Sequence, residues 1–512
     1  MKNTARNKRC YIWAGVFVLL AAGASAFFPV LRNGFTNWDD PAQLLANPLV
    51  REVSFRNTVE IFRSRVVSEY HPLVTALFSV EYGLFGLQPA VYHLHSLFLH
   101  LANTLLVFFL LFLLGRNLPA ALAGALFFEI NPLQVQAVAW ISARKDLLFA
   151  FFYLLALITF IFYHNRQSAR FYLISIIFFI LSLFCKTTAV TLPPVILLWL
   201  SCFRRRLLKK DWIVLLPFFI LALAVGVPAL MMQTARYPGS AAHLGLSGEN
   251  VLLFFRNLGF YVIRVLLPVQ LSPVYLFPAR VAFFDVSVAG SVLLVCLLAV
   301  WLSANRGKNR DILFGTGFFI VTLLPVLRLI PFAGIEVAAN RFMYLPLAAA
   351  GYLISGGFSG LLSRAGEVKR LKAVIILSGF MIAVFLAVGT GYRCRFWRDG
   401  GTLWNEALRQ QGGSDLIYHM LADHAFRSGR YPETVSLCDR AIALNPAMAY
   451  SYLLKARAQR ALGEEKAAAE TGALYFEVLK KLGMGKNYNT TDPTDPTDRS
   501  DSEEAASCRK KK

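Results

Sequence analysis

Along the chain, long apolar runs alternate with short charged clusters from Tyr11 to about residue 391, after which the pattern changes. The apolar segments fall at 12–31, 93–114, 118–135, 147–163, 171–187, 188–203, 212–232, 284–303, 311–330, 341–361 and 373–391. Water cannot solvate such runs, and a chain entering lipid must close its own backbone hydrogen bonds as helix. About 20 apolar residues suffice to cross the hydrocarbon layer. A further apolar run, 251–268, is interrupted by Arg256 and Arg264 and is read as not crossing. The pattern therefore predicts an all-α, polytopic helical bundle of eleven spans. The first run follows Lys2, Arg6, Lys8 and Arg9, and Ala-Gly-Ala-Ser-Ala at 22–26 resembles a signal cleavage site. It is long for a signal peptide, so an uncleaved first span is expected.

Cations fix the orientation, because cytoplasmic loops accumulate Lys and Arg. Arg116, Arg166/Arg170, Arg204–Arg206 with Lys209/Lys210, Arg306/Lys308/Arg310 and Lys369/Arg370/Lys372 alternate consistently as cytoplasmic turns. Residues 1–11 become a cytoplasmic tail and 12–392 the membrane domain. The outer face then carries a long loop, 32–92, and everything after Tyr392. In 393–482 charge rises and apolar positions recur at helical spacing. A 34-residue offset pairs Tyr418 with Tyr452, Ala422 with Ala456 and Gly429 with Gly463, and Pro446 falls where a tetratricopeptide repeat ends its second helix. A short helical-hairpin domain outside the membrane is expected, with Thr402–Gln411 and the membrane domain supplying the packing that two repeats lack. Residues 483–512 have no core-forming pattern and read as disordered.

Composition agrees: 56% of the 512 residues are hydrophobic and only 16% charged, too few charges for a soluble chain. The formal net charge of +22 is then a record of topology, and no nucleic-acid partner is expected. The seven cysteines lack paired ligand spacing. Of His71, His93, His95 and His100, only His93 and His100 share a helical face, and no carboxylate lies near them in sequence. These histidines read as packing residues; no metal or other cofactor is indicated.

Two sets of residues point to chemistry. Asp39 and Asp40, between Trp38 and Pro41 just outside the first span, could supply a general base towards a hydroxyl; a solvated turn is the plain alternative. Arg144, Lys145, Asp146, Lys186 and Arg341 sit at outer ends of apolar segments, where cations are out of place and need partners. A shared anion such as a lipid phosphate would satisfy several at once. Pairing with Asp39, Asp40 or Asp146 would serve as well.

Six stretches, in order, carry a resemblance: Asn-Trp-Asp-Asp at 37–40, Tyr-His-Leu-His-Ser-Leu-Phe-Leu-His at 92–100, and Asn-Pro-Leu-Gln-Val-Gln-Ala-Val-Ala-Trp-Ile-Ser-Ala-Arg-Lys-Asp-Leu-Leu at 131–148. Then come Cys-Lys-Thr-Thr-Ala-Val-Thr-Leu-Pro at 185–193, Leu-Leu-Pro-Val-Gln-Leu-Ser-Pro-Val-Tyr at 266–275 and Ala-Asn-Arg-Phe-Met-Tyr-Leu-Pro at 339–346. With the C-terminal repeats, they resemble the type-C membrane glycosyltransferases, in particular the transmembrane-and-tetratricopeptide-repeat protein O-mannosyltransferases and their bacterial relatives. The resemblance implies a polyprenyl-phosphate-linked sugar donor, a protein hydroxyl as acceptor and inversion at the sugar. It makes Asp39 or Asp40 the base, and Lys186 and Arg341 donor-phosphate or acceptor-site residues. Arg144 matches the arginine of its motif; Lys145, His71 and Trp38 complete the substrate-binding candidates. The family's His-Pro is Asn131-Pro132 here, and three of its acids are replaced, by Gln136, Thr187 and Asn340, so the resemblance carries over neither the acids around the base candidates, nor a metal, nor mannose as the sugar. Apart from the resemblance, short loops and a compact chain point to a bacterial inner membrane, the cation pattern puts the C-terminus in the periplasm, and the repeats are expected to recruit the acceptor as a remote binding element. The rival readings are an inactive scaffold bearing the repeats and a transferase acting on a glycolipid or polysaccharide.

Overall fold

The computed structural model describes residues 2–66, 69–204, 207–235, 248–278, 281–304, 310–329 and 336–482. The predicted tail 483–512 and the cations Arg205, Arg206, Arg306 and Lys308 lie outside these. Among the described residues the fold is helical, except for one short antiparallel pairing of β1 (Tyr275–Leu276) with β2 (Glu336–Ala338).

Every predicted span coincides with helix. They are α1 (Lys2–Phe27), α4 (Pro89–Leu113), α5 (Leu118–Glu129) with α6 (Val135–Ala139), α7 (Arg144–Arg166) and α8 (Ala169–Cys185). There follow α9 (Leu192–Phe203), α10 (Lys209–Ala235), α12 (Val286–Ala304), α13 (Arg310–Leu323), α14 (Pro346–Arg364) and α15 (Lys369–Cys394). Among the described residues, length and hydropathy qualify six as single membrane-crossing helices, starting from Cys10, Pro89, Ile141, Lys209, Val286 and Lys369, and a seventh if the bent pair 118–139 is one span. The expectation of eleven exceeds this because several apolar runs fold as short pieces. The chain breaks into 3-10 turns at Thr187–Thr191 and Pro132–Gln134, so helices such as α9 are only 12 residues long. The "outer loop" 32–92 also differs from expectation: it holds α2 (Phe55–Arg63) and the apolar α3 (Pro72–Phe85), which packs on α8. The interrupted run forms α11 (Gly248–Leu266), packed on α12.

Proline marks many helix starts, at positions 72, 89 and 346, where its missing N–H would be unpaired in any case. The centre of the bundle is the packing of α7 on α8 and α4 and of α5 on α14 and α4. Gly124 of α5 and Gly351 of α14 meet backbone to backbone: a methyl on Gly124 would lie 2.4 Å from the Gly351 carbonyl oxygen.

After α15 the chain turns through Arg395–Trp397 into α16 (Gly400–Gln411), started by a capping box between Asp399 and Thr402. Two hairpins follow, α17 (Asp415–Arg427) with α18 (Tyr431–Leu444), and α19 (Ala449–Ala461) with α20 (Glu465–Lys481). Both first helices and both second helices begin 34 residues apart. The matching Gly429 and Gly463 have φ of +72° and +83°, conformations that suit glycine at the turn within each hairpin. Ala422 and Ala456 are buried between helices as the spacing predicts.

Candidate functional site

The site candidates gather at the end of the bundle where α1 finishes and α4 and α7 begin. Leaving α1, the chain makes a 3-10 turn and is then pinned from several sides. The Asn33 side chain donates to the Cys394 carbonyl (2.9 Å), the Gly34 N–H to the Arg398 carbonyl (2.8 Å), and the His93 Nε2 bonds the Gly34 carbonyl (3.2 Å). Next come Asn37-Trp38-Asp39-Asp40, and then a single π turn, Pro41–Leu45, closed by the Ala46 N–H donating to the Pro41 carbonyl (2.8 Å), while the Gln43 N–H donates to the Asp39 carbonyl (2.8 Å). Such turns recur at functional sites because they re-aim the residues before them.

Adjacent in sequence, the two aspartates have opposite surroundings. Asp40 is fully buried and its carboxylate is spent. It accepts from the Thr36 N–H (2.8 Å) and hydroxyl (2.9 Å), and from the Ser142 N–H (3.1 Å) and hydroxyl, tying the loop to the start of α7. Burial raises its pKa, and those four bonds pull the other way. Asp39 is part-buried and, among the described residues, makes no side-chain hydrogen bond or ion pair. Burial raises its pKa to about 6, against the opposing pull of Lys145 and Arg341 and with help from Glu69 and Asp40. A carboxylate held without partners and with a pKa near neutrality has the character of a general base.

The cations fall into two groups. Lys145 and Arg341 lie near Asp39, with Lys186 close to both, and each has a carboxylate partner: Lys145 with Glu69, Lys186 with Asp146, and Arg341 with Glu336 (2.7 Å). Charges at these chain ends are thus paired, partly with Asp146 as the sequence allowed. Glu69 and Glu336 were not legible; each is a lone acid with no motif to announce it. Capacity remains, because an ammonium has three N–H donors and Arg341 Nη1 is buried without a partner. Arg341 lies 5.2 Å over the Trp140 ring, and Lys186 is 5.2 Å from the centre of Phe342.

Arg144 is placed differently from its neighbours. Fully buried, it spends its guanidinium on Glu81, the Tyr92 carbonyl and the Ser96 hydroxyl, and lies 5.0 Å over Phe78. Its donors are occupied, so it fastens α7 to α3 and α4 and has none left for a substrate. His71 caps the start of α3, with Nε2 buried and unpartnered. Burial first, then the charge of Lys145, lowers its pKa to about 4, so it is neutral at physiological pH. Trp38 belongs to an aromatic cluster, 4.6 Å from Trp140, 5.1 Å from Trp404 and 6.4 Å from Trp397 between ring centres. His93 and His100 are packing residues. His100 Nε2 donates to the Glu129 carbonyl, and its Nδ1 accepts from the Tyr344 hydroxyl, each at 2.9 Å. No cluster of three His, Cys, Asp or Glu placed to hold a metal occurs among the described residues.

Two of the substitutions that depart from the family motif have structural work. Gln136 accepts the Arg341 N–H (3.0 Å) while its amide donates to the Pro273 carbonyl (3.2 Å), a pair of bonds an ionised acid could not make. Asn340 accepts from the Tyr275 hydroxyl (3.1 Å) and donates to the Ser272 carbonyl (2.9 Å). Amides at these positions link the motif at 266–275 to the motif at 339–346, and thereby hold Arg341.

The family model for dolichyl-phosphate-mannose-protein mannosyltransferase matches residues 72–231. The chain resembles the type-C glycosyltransferases. It is 25% identical over 398 residues to mouse protein O-mannosyl-transferase TMTC4, covering 66% of this chain and 53% of that protein. It is 22% identical over 515 residues to human protein O-mannosyl-transferase TMTC1, covering 87% of this chain and 57% of the relative. A 93-residue stretch is 39% identical to human protein O-mannosyl-transferase TMTC2. The chain thus spans about half the length of the curated relatives it matches over most of its extent. Among solved structures it is similar to ArnT from Cupriavidus metallidurans bound to undecaprenyl phosphate, at 14% identity and a TM-score of 0.38, covering 90% of this chain and 79% of that one.

Proposed function

We propose that this protein is a membrane glycosyltransferase that moves a sugar from a polyprenyl-phosphate carrier to a protein hydroxyl on the extracytoplasmic face, with inversion, and that Asp39 is its base. The observation that carries this reading is the Asp39 carboxylate: unbonded among the described residues, part-buried, and set near Lys145 and Arg341 at one end of an apolar helical bundle. The relatives' names, all protein O-mannosyl-transferases, favour a protein acceptor and make mannose the first sugar to test.

In this reading the carrier's chain lies against the apolar helices, and its phosphate meets Lys145, Lys186 and Arg341. Asp39 accepts the proton of the acceptor hydroxyl as its oxygen attacks the anomeric carbon. The bond from that carbon to the phosphate oxygen breaks, and its electron pair leaves with the phosphate. The cations offset the charge that builds on the departing oxygen. Asp40, with four hydrogen bonds of its own, holds the loop. The two C-terminal hairpins are read as tetratricopeptide-like repeats outside the membrane. All eleven apolar segments are counted as spans, and the host membrane is a bacterial inner membrane.

The deciding experiment is mass spectrometry of the purified protein for bound polyprenyl-phosphate sugar, followed by transfer assays of the wild type and a folded Asp39→Asn variant. A bound glycolipid and loss of transfer support the reading. Equal activity of variant and wild type removes Asp39, and a wild type that neither binds nor transfers favours the scaffold.

A further inference from the structure

The loop that carries Asp39 is gripped by the C-terminal domain. Asn37 uses three of its hydrogen-bonding positions on that domain alone. Its amide donates to the Met420 carbonyl and to Asp423 Oδ2, both at 2.8 Å, and its Oδ1 accepts from Trp404 Nε1 at 3.1 Å. Asp423 is in turn held by Arg427 (2.8 Å). The approach is close enough to exclude side chains. A methyl on Gly400 would lie 2.0 Å from Asn37 Oδ1. One residue on, Trp38 lies against Trp404 and Trp397 of the same region.

Asp39 makes no side-chain bond that would fix it, so its place depends on the backbone at its two flanks. Asp40 pins one flank to the membrane domain; Asn37 pins the other to α16 and α17. We infer that α16 and α17 are part of the catalytic apparatus, with Asn37, Asp423 and Trp404 as positioning residues for Asp39. This rests on Asp39 being the base. It adds to the expectation that the C-terminal region serves as a remote binding element: α17, the first helix of the first hairpin, also holds the loop that carries Asp39. Engagement of an acceptor by these helices and placement of the base then act through one network. Displacing a catalytic group by about 1 Å costs rate on the order of a hundredfold without touching the reacting atoms.

The test uses the full-length protein in detergent with polyprenyl-phosphate mannose and a short hydroxyl-bearing peptide. Asn37→Asp keeps shape but loses both N–H donors and sets a carboxylate against Asp423. Its kcat is expected to fall at least tenfold, with the donor KM within twofold of wild type. Asp423→Asn keeps an acceptor for Asn37 but gives up the charge that Arg427 holds, and its kcat is expected to fall, by less than that of Asn37→Asp. The double variant Asn37→Asp/Asp423→Asn reverses one donor–acceptor pair and is expected to recover much of kcat. Amide hydrogen exchange over residues 36–45 gives a readout independent of turnover, faster in Asn37→Asp and slowed again in the double variant. Should Asn37→Asp misfold, Trp404→Phe, which removes only the Nε1 donor, is expected to lower kcat with KM held.

Wild-type kcat in both Asn37→Asp and Trp404→Phe, or no recovery in a folded double variant, overturns the inference and leaves the proposed function standing. A wild type inert towards every polyprenyl-phosphate sugar overturns the proposed function and the inference with it.

Discussion

At the scale of single residues, the decisive contrast is between Asp39 and Asp40. Removing a general base costs about a hundredfold or more in rate, so Asp39→Asn is expected to fold and lose transfer. Asp40→Asn turns an amide against donors from Thr36 and Ser142. It is expected to lose about 1–3 kcal/mol of stability and show a smaller drop in kcat, checked by thermal melting beside the transfer assay. Asp39 also has a pH signature. Its folded pKa, about 6, lies above its ordinary value of 3.8, so the folded state holds this proton more tightly than the unfolded state. The stability it contributes is full below pH 4 and is lost as pH rises through 6. With Asp39 as the proposed base, transfer is expected to run the opposite way and rise with pH through the same range. Asp39→Asn is therefore expected to melt above the wild type at pH 8, with the difference vanishing near pH 4; equal melting at pH 8 would contradict the burial argument. For the donor, Lys186→Gln and Arg341→Gln are each expected to weaken polyprenyl-phosphate binding by about 2–5 kcal/mol. Calorimetric titration that finds unchanged affinity in both would remove them from the site.

At the scale of elements, the bundle relies on contacts that admit no extra atoms and on buried pairs that admit no fewer. Gly124 and Gly351 let α5 and α14 touch backbone to backbone, the usual way helices associate where lipid removes any hydrophobic drive between them. Gly124→Ala is expected to cost about 1–3 kcal/mol through overpacking, read as a lower melting temperature in detergent, while Gly290→Ala, with open space at its position, is expected to be neutral. Arg144 with Glu81 is the polar counterpart. Removing one partner strands a buried charge at a cost of about 3–5 kcal/mol, so Arg144→Gln is expected to reduce folded yield and leave donor affinity of the surviving protein unchanged. Helix placement was legible because about 20 apolar residues have few alternatives in lipid. The breaks were less legible: nothing in Cys-Lys-Thr-Thr-Ala-Val-Thr at 185–191 requires a 3-10 turn until Lys186 pairs with Asp146 on another helix. The helix α3 was hidden inside a presumed loop because its apolar run is only 14 residues long.

At the scale of the molecule, one end of the bundle carries the aspartates and the C-terminal domain, and the opposite ends of α4, α7 and α9 carry Arg116, Arg166 and Arg204. Single cysteines in place of Ser428, beside Gly429, and of Lys209 are expected to label oppositely with an impermeant reagent on intact cells. Matching behaviour would sink the orientation. Deleting residues 415–512 is expected to abolish transfer to a small peptide as well as to the natural acceptor, because Met420 and Asp423 go with the deletion. A truncated protein that stays folded and glycosylates the peptide normally would return the C-terminal domain to a recruiting role.

What the sequence determined by itself was whatever solvent and chain chemistry decide locally. Apolar length decided which segments are helices, charge clusters gave their expected order across the membrane, and a 34-residue repeat gave two hairpins. The motifs then supplied the resemblance and the short set of residues from which the site is built. Only the tertiary structure decided what each of those residues does, because that depends on partners far away in the chain. Asp40 is bonded to Ser142, Arg144 to Glu81, Arg341 to Glu336 and to Gln136, and Asn37 to Asp423, 386 residues away. Asp39 was left without any such partner. Two adjacent aspartates are chemically identical as letters; burial and hydrogen bonding separate them, and both are properties of the packed molecule.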